Sequence, residues 1–371
     1  MTDEKKQKTF LYDSHVELGA RMAPFGGFEM PIQYAGILDE HNATRSGATV
    51  FDTCHMGEFR VRGNSALADL ERLITCNIGS IENGRCRYGI LCNEQGGALD
   101  DLLVYRQGVE EFMLVVNAGT QQRDFQWLAD QLSADTVLEN ISSRTGKIDL
   151  QGPDAPEIAQ DLLADPIDDM VYYSFRKADF EGAPVLVSRT GYTGEVGFEF
   201  YAAPGTTVKL WQACLAHGAN PAGLGARDTL RLEMGMPLYG HELSEDRNVA
   251  QLGFDRAIAG DKDFIGSDRV TAPDATPVVL CGIEFPGRRA AREGDSVMDA
   301  GGGDVFGEVT SGSFAPSLGY AVALAYVDKS FATPGAAVRV RHGRKEIDGK
   351  ITELPFYKDG TARKKLSRFF K

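Results

Sequence analysis

The sequence is poor in the patterns that carry several common chemistries. Its six cysteines, Cys54, Cys76, Cys86, Cys92, Cys214 and Cys281, form no C-x-x-C pair and no framework spacing. In a chain of 371 residues they read as reduced thiols, not as a disulfide set. No G-x-G-x-x-G follows a strand. The nearest stretch, "GLGARD" at 223–228, lacks the third glycine, so a dinucleotide fingerprint is not met. There is no G-x-x-x-x-G-K-[ST] phosphate loop, no H-E-x-x-H and no G-x-S-x-G. The six histidines are scattered, and "HELSED" (241–246) reads as a charged loop, so no metal is expected.

Positive charge is also scarce. Against 53 Asp and Glu stand 39 Lys and Arg, a net charge of −14, which argues against nucleic acid or an anionic membrane as partner. The exception is the tail "YKDGTARKKLSRFFK", with six Lys/Arg and one Asp, which fits a solvated tail or an anchor for an anionic ligand. The longest apolar run, "YAVALAYV" (320–327), is too short to span a bilayer. "MTDEKKQKTF" lacks both the apolar core of a secretory signal and an Arg/Ser-rich amphipathic helix, and a cytoplasmic location is expected.

What is present is a soluble, globular pattern with length for two or three domains. "NSALADLERLI" (64–74) sets Leu67, Leu70 and Ile74 on one helical face, with Asn64 or Ser65 as cap. "RDFQWLADQL" does the same with Phe125, Leu128 and Leu132, and "VKLWQACL" with Val208, Trp211 and Leu215. Strand-like runs lie between them at 111–118, 182–189 and 196–202. Residues 58–74 superpose on residues 147–163 at an offset of 89, so that Phe59 falls on Ile148, Gly63 on Gly152 and Leu73 on Leu162. Both copies read as strand, glycine turn and capped helix, which predicts two related α+β units. After about residue 275 short alternating strands take over: "VVLCGIEF", "GYAVALAYV" and "AAVRVRHG", with "GGG" at 301–303 as a hairpin turn. They predict a small all-β sandwich or barrel.

Some polar residues stand where apolar ones would be easier. In "GGALDDLLVY" (96–105), alternation puts Asp101, Leu103 and Tyr105 on one strand face, with Asp100 as the turn residue before it. Asn117, at the end of the next strand, comes near Asp101 if the hairpin register allows; spacing alone favours Asp101 as a solvated strand end and Asn117 as a turn cap. "SRTGYTGEVGFEF" (188–200) is a glycine-bent loop holding Tyr192, followed by a strand with Glu199 opposite Phe198 and Phe200. "GLGARDTLRLEMGMPLYG" (223–240) opens a helix with Arg227 in its first turn, where the helix dipole disfavours a cation.

These blocks, with "GARMAPFGGFEMPIQY" (19–34), "HMGEF" (55–59), "VNAGTQQRDFQWL" (116–128), "DFIG" (263–266) and "GEVTSGSFAPSLGYAVALAYV" (307–327), occur in order. Together they resemble the T protein (aminomethyltransferase) family of the glycine cleavage system from about residue 9 to about 358. The resemblance implies an α+β cloverleaf of three lobes around a central folate cavity. Residues 1–52 with 138–270 would form the folate-binding lobe, 53–137 a second α+β lobe, and 275–371 a C-terminal β-barrel or jelly-roll-like lobe. It implies transfer of the methylene of an aminomethyl group from the lipoyl arm of H protein to tetrahydrofolate. The products would be 5,10-methylenetetrahydrofolate, ammonia and dihydrolipoyl H protein.

The same resemblance assigns residues. Asp101 matches the essential aspartate, and Glu199 the buried glutamate that accepts from the pterin. Tyr192, Asn117, Arg227 and Tyr105 match the folate cavity. Tyr172, Tyr173 and Lys177 in "VYYSFRK" match the folate entrance, and Arg363 loosely matches a C-terminal arginine. Cys54 stands where the family usually has serine, and Met236 where it often has an aromatic residue. The same fold also serves folate-dependent demethylases, which usually lose part of "HMGE" or "DDLLVY". It serves non-catalytic folate-binding factors too, whose K-G-C-Y-x-G-Q segment is absent here.

Overall fold

The computed structural model describes residues 6–254, 256–272, 274–301, 303–343 and 345–370. Helical periodicity and strand alternation become elements close to where the sequence puts them. Helices run over Ala66–Leu73, Gln121–Gln131 and Pro204–Ala216, and strands over Glu111–Val116, Ala183–Ser188 and Gly197–Ala202. Ser65, not Asn64, is the cap residue of the first of these helices.

Two sheets share one plan. The first orders its strands Phe175–Phe180, Ala183–Ser188, Gly197–Ala202, Gly146–Gln151, Thr49–Asp52 and Asn220–Ala222. The second orders Arg85–Cys92, Ala98–Arg106, Glu111–Val116, Gly57–Arg62 and Val137–Asn140. The strand–helix pairs Gly57–Arg62 with Ala66–Leu73 and Gly146–Gln151 with Ala155–Leu162 keep the offset of 89 seen in the sequence. Each pair is followed by a hairpin, a third strand that returns beside the first, and a helix. The repeat is therefore longer than the sequence alone displays, because the connecting loops differ in length and break the constant offset.

Gly63 and Gly152, the matched turn residues, show why glycine recurs. Their φ values are +134° and +124°. A Cβ would lie 2.0 Å from the Asp135 carbonyl oxygen at Gly63 and 2.2 Å from the Gly47 carbonyl oxygen at Gly152. Only glycine tolerates both the dihedral and the contact.

The two sheets meet at their outer edges through a bridge between Arg85 and Ser174. Here the Cys86 N–H donates to the Tyr173 carbonyl and the Phe175 N–H to the Gly84 carbonyl, at 3.0 and 2.8 Å. Tyr173 takes φ +63° to make this junction, a left-handed conformation that costs a non-glycine residue about 1–3 kcal/mol.

The C-terminal strands close into a six-stranded barrel, in the order Val278–Glu284, Tyr320–Asp328, Val305–Ala315, Ser296–Asp299, Ala337–His342 and Lys345–Thr352. The alternation in "GYAVALAYV" decides what goes inside. Ala321, Ala323 and Ala325 join Cys281, Ile283 and Phe285 in the barrel interior, where a small barrel has room only for modest side chains. Val322 and Leu324 point outward and pack with Leu232, at the end of the helix Leu224–Glu233, and with Phe356. The turn expected at 301–303 includes Gly302, which lies outside the described residues. No helix among the described residues is long and apolar enough to cross a membrane.

Replacing Gly152 by alanine is expected to lower unfolding stability by roughly 1–3 kcal/mol, read as a shift of the denaturant midpoint. Replacing Gly205, at whose Cβ position nothing lies within 4 Å, serves as the control. Equal midpoints for the two variants would rule out the backbone constraint.

Candidate functional site

A cavity of about 2240 Å³ lies where the two sheets and the barrel converge. Its wall takes Asp101 and Asn117 from the second sheet, Lys147 and Glu199 from the first, Tyr192 and Arg227 from the segments beside it, and Ser311 and Gly312 from the barrel.

Asp101 stands on the strand Ala98–Arg106, at the level of Asn117 across the hairpin. The Asn117 side-chain amide donates to Asp101 Oδ1 at 2.8 Å, and the Tyr88 hydroxyl donates to Oδ2 at 3.0 Å. The register that spacing left open therefore brings the two residues together. Burial, and next the neighbouring Asp100, push the Asp101 carboxyl up to about 7. Such a group exchanges a proton near neutral pH.

Asp100 is not the turn residue expected of it. It lies inside the strand, fully buried, on the face away from the cavity. Its carboxyl accepts from the Asn117 backbone N–H at 2.9 Å and from the Asn117 side chain at 2.8 Å. The turn is made earlier, around Asn93 and the glycines, where the Asn93 side chain accepts from the Gly97 N–H.

Glu199 lies on the first sheet's strand Gly197–Ala202, directly opposite Asp149. Two acids facing each other repel, and each is matched by its own cation. Lys147 Nζ donates to Glu199 Oε1 at 2.6 Å, and Arg227 Nη1 donates to Asp149 Oδ2 at 2.7 Å. Thr190 donates to Glu199 Oε2 at 2.5 Å. Burial works to raise the Glu199 carboxyl, yet Lys147, Thr190 and Arg227 outweigh it and hold it below the usual range. Asp149 goes the other way, up to about 6, through burial and the charge of Glu199. The Arg227 guanidinium also lies over the Tyr192 ring at 4.9 Å, which explains a cation in a helix's first turn. The Tyr192 hydroxyl donates to the Pro237 carbonyl.

Tyr172 and Tyr173 line the cavity with their rings 4.7 Å apart, and Arg363 stands 6.0 Å from the Tyr172 ring. The tail is held there by the buried Arg189, which donates to the carbonyls of Ala362 and Lys364. Two of the residues expected in the cavity are not part of its lining. Lys177 is exposed on the edge strand Phe175–Phe180, past the cavity rim. Tyr105 is fully buried behind the wall, its hydroxyl 3.0 Å from that of Tyr201 and 3.4 Å from Glu199. The cations beside Tyr172 that line the cavity are Arg85, which donates to the Tyr172 carbonyl, and Arg363; Lys358 lines the cavity as well.

Sequence reasoning missed Lys147, Asp149, Tyr88 and His55. A signal for the first two was there: "KIDLQ" alternates, with Ile148 and Leu150 in the core and Lys147, Asp149 and Gln151 on the other face. His55 lines the cavity as a neutral ring, its pKa lowered to about 4 by burial, with phenylalanine rings at its edge. Tyr88 gives no such signal, because its partner is fixed by the pairing of strands. All six cysteines are free and buried; Cys54 packs against the Lys147 carbonyl. Among the described residues no cluster of His, Cys, Asp or Glu could hold a metal ion.

Acids of raised and lowered proton affinity share the wall of a cavity between two sheets and a barrel, an arrangement suited to proton-coupled chemistry. Residues 11–262 match the GCVT N-terminal domain, and residues 279–358 the glycine cleavage T-protein C-terminal barrel domain. An aminomethyltransferase of Thermotoga maritima is 39% identical over 363 residues, covering 96% of this chain and 99% of its own. One of Saccharopolyspora erythraea is 40% identical over 361 residues, with coverages of 95% and 98%. The crystal structure of glycine cleavage system aminomethyltransferase T from Bartonella henselae superposes with a TM-score of 0.89 at 29% identity, covering 96% of this chain and 99% of that one. The chain belongs to the glycine cleavage T-protein family of aminomethyltransferases.

Two outcomes follow from the charges. Lys147→Met leaves the Glu199 carboxylate buried without its cation, which is expected to cost roughly 3–5 kcal/mol of stability. Adding Glu199→Gln recovers part of the loss, and a double mutant no more stable than Lys147→Met would show that the pair is not the cause. The second outcome concerns pH. Asp101, Asp124 and Asp149 are raised to about 7, 6 and 6 from 3.8. Through this window the folded protein holds protons that the unfolded chain has released. Stability therefore falls as pH rises from about 4 to about 7, with His55, kept neutral by burial, offsetting part of the fall. Thermal midpoints across that range should show the decline, and Asp101→Asn should flatten its upper end.

Proposed function

We propose that this protein transfers the methylene of an aminomethyl group from the lipoyl arm of a carrier protein, the H protein, to tetrahydrofolate. The reaction breaks the S–CH2 and CH2–NH2 bonds and joins the carbon to N5 and N10 of the folate. The two folate N–H protons go to the departing ammonia and to the lipoyl sulfur, so 5,10-methylenetetrahydrofolate, ammonia and dihydrolipoyl carrier leave.

The observation that carries this reading is the division of labour between the two acids of the cavity. Glu199 is held ionised by Lys147 and Thr190. Its Oε2 also accepts from Tyr105 and Tyr201, while Oε1 accepts from Lys147 alone and so keeps a lone pair for an N–H donor of a pterin. Asp101 is held near neutrality in its proton affinity by Tyr88, Asn117 and its buried position. It takes a proton from a folate nitrogen and, as a carboxylate, stabilises the positive charge that develops as ammonia departs. Arg227 lies between Asp149 and Tyr192, fixing the wall beside Glu199. Tyr172 and Tyr173 offer aromatic faces for the aminobenzoyl portion of the folate. Arg85, Lys358 and Arg363, rather than Lys177, are the cations at the cavity wall that can receive the glutamate carboxylates of the folate. Asn117 orients Asp101, and Tyr105 braces Glu199 from behind. At about 2240 Å³ the cavity exceeds the roughly 300–1,000 Å³ of an ordinary ligand pocket, which leaves space for a lipoyl arm.

The test is an assay of purified protein with aminomethyl-loaded lipoyl carrier. Ammonia release is expected only when tetrahydrofolate is added, with methylene-folate formed in equal amount. Ammonia release that ignores folate, or none at all, would reject the reading. Asp101→Asn should bind tetrahydrofolate within about threefold of the parent and turn over about a hundredfold or more slower. A variant that keeps its turnover would remove Asp101 from the chemistry.

A further inference from the structure

The mechanism leaves one buried cation unused. Arg189 is 4% exposed and is not part of the cavity lining. No carboxylate pairs with it among the described residues. The described partners of its guanidinium are all main-chain carbonyls, and its Nε has none. Burying a cation without a counter-ion is costly, so the contacts it makes need a reason.

Those contacts converge on one place. Nη1 donates to the Met170 carbonyl at 2.6 Å. Nη2 donates to the carbonyls of Ala362, at 3.2 Å, and of Lys364, the residues on either side of Arg363. Arg363 sits in a turn closed by the Lys364 N–H donating to the Thr361 carbonyl at 2.9 Å. The planar guanidinium, with its donors in a fixed fork, therefore joins a cavity wall to a turn of the tail.

The wall is fixed without it. The Met170 side chain is buried in the first lobe's core. Tyr173 is held by main-chain bonds alone: its N–H donates to the Arg189 carbonyl at 3.0 Å, and the Arg189 N–H donates to the Ser174 carbonyl at 2.8 Å. The tail is another matter. After the barrel strand Lys345–Thr352 no strand or helix forms until Leu366–Arg368. Thr361 pins the tail upstream, accepting from the Val196 N–H at 2.8 Å, and Leu366 is buried in the core downstream. Arg363 is exposed between them and forms no ion pair among the described residues, so its direction is set by its backbone.

We propose that Arg189 is a positioning residue for the carboxylate end of the folate. It clamps the turn on both sides of Arg363 and so presents that guanidinium, already oriented beside Tyr172, to a glutamate carboxylate. Ordering the cation before the ligand arrives removes a cost from binding. The ligand half of this role rests on the function proposed above; the clamp does not.

The test uses the full chain with two probes, tetrahydrofolate and tetrahydropteroate, which keeps the pterin and aminobenzoyl portions and lacks the glutamate. By calorimetry, Arg189→Met should weaken tetrahydrofolate binding about tenfold and leave tetrahydropteroate within about twofold. Arg363→Met should do the same. The double variant should bind no more weakly than Arg363→Met alone, because Arg189 acts through Arg363. Equal losses for the two probes, or losses that multiply in the double variant, would overturn the positioning role. In the transfer assay KM for tetrahydrofolate should rise with kcat little changed; a lower kcat at unchanged KM would overturn it as well. Without any ligand, amide hydrogen exchange over residues 362–365 should quicken about tenfold or more in Arg189→Met and not in Arg363→Met. Unchanged exchange would overturn the clamp even where the folate reading holds. Quickened exchange in a protein that binds no tetrahydrofolate would instead reject the folate reading and uphold the clamp. Arg189→Lys keeps the cation, loses the fork, and carries the test if Arg189→Met does not fold. It should show the same pattern at smaller size, and parent-like binding and exchange in it would overturn the inference.

Discussion

Glu199 and Asp149 stand opposite each other on neighbouring strands, out of reach of bulk water, and the cavity is arranged around the need to balance them. Two like charges in that position would force the strands apart. Lys147 and Arg227 prevent it, one from the same strand as Asp149 and one from a helix that also carries the barrel's docking surface. The helix is held in turn by Arg231, which pairs with Glu242 and reaches Ser311 of the barrel. The placement of the third lobe and the ionisation of the cavity wall are therefore parts of one electrostatic arrangement.

The second half of the repeat carries this burden and the first does not. At the positions matching Lys147 and Asp149, the first unit has Glu58 and Arg60. Arg60 faces Glu111 and Glu139 in partly exposed pairs, and Glu58 is buried with both oxygens unpartnered among the described residues. Burial raises Glu58 well above the ordinary range, which favours the neutral acid. The same strand position gives an ionised pair in one copy and a protonated acid in the other. The two units thus differ in charge where they agree in backbone.

Asp100 and Asp101 show the limit of a strand-alternation argument. Alternation correctly sends the two side chains to opposite faces. It does not say which face is the solvent, and the reading of Asp100 as a turn residue fails there. Both faces of this strand are covered, one by the cavity lobe and one by the helix Gln121–Gln131. Lys177 fails for the converse reason. It is next to two cavity tyrosines in sequence, but the backbone turns at Tyr173 and carries the following strand away from the mouth.

The sequence by itself determined the periodic helices, the alternating strands, the glycine turns at 63 and 152, and the change to an all-β pattern near residue 275. These are local properties, set by side-chain spacing and by the one residue that tolerates positive φ beside a carbonyl. The ordered motif blocks also carried the family, and with it the proposal of Asp101 and Glu199 as site residues. Only the tertiary structure decided the charge states. Lys147 meets Glu199 across a strand register, and Arg227 meets Asp149 from a different element. Proton affinity in this cavity depends on burial and on neighbours distant in the chain, and neither can be read along one strand.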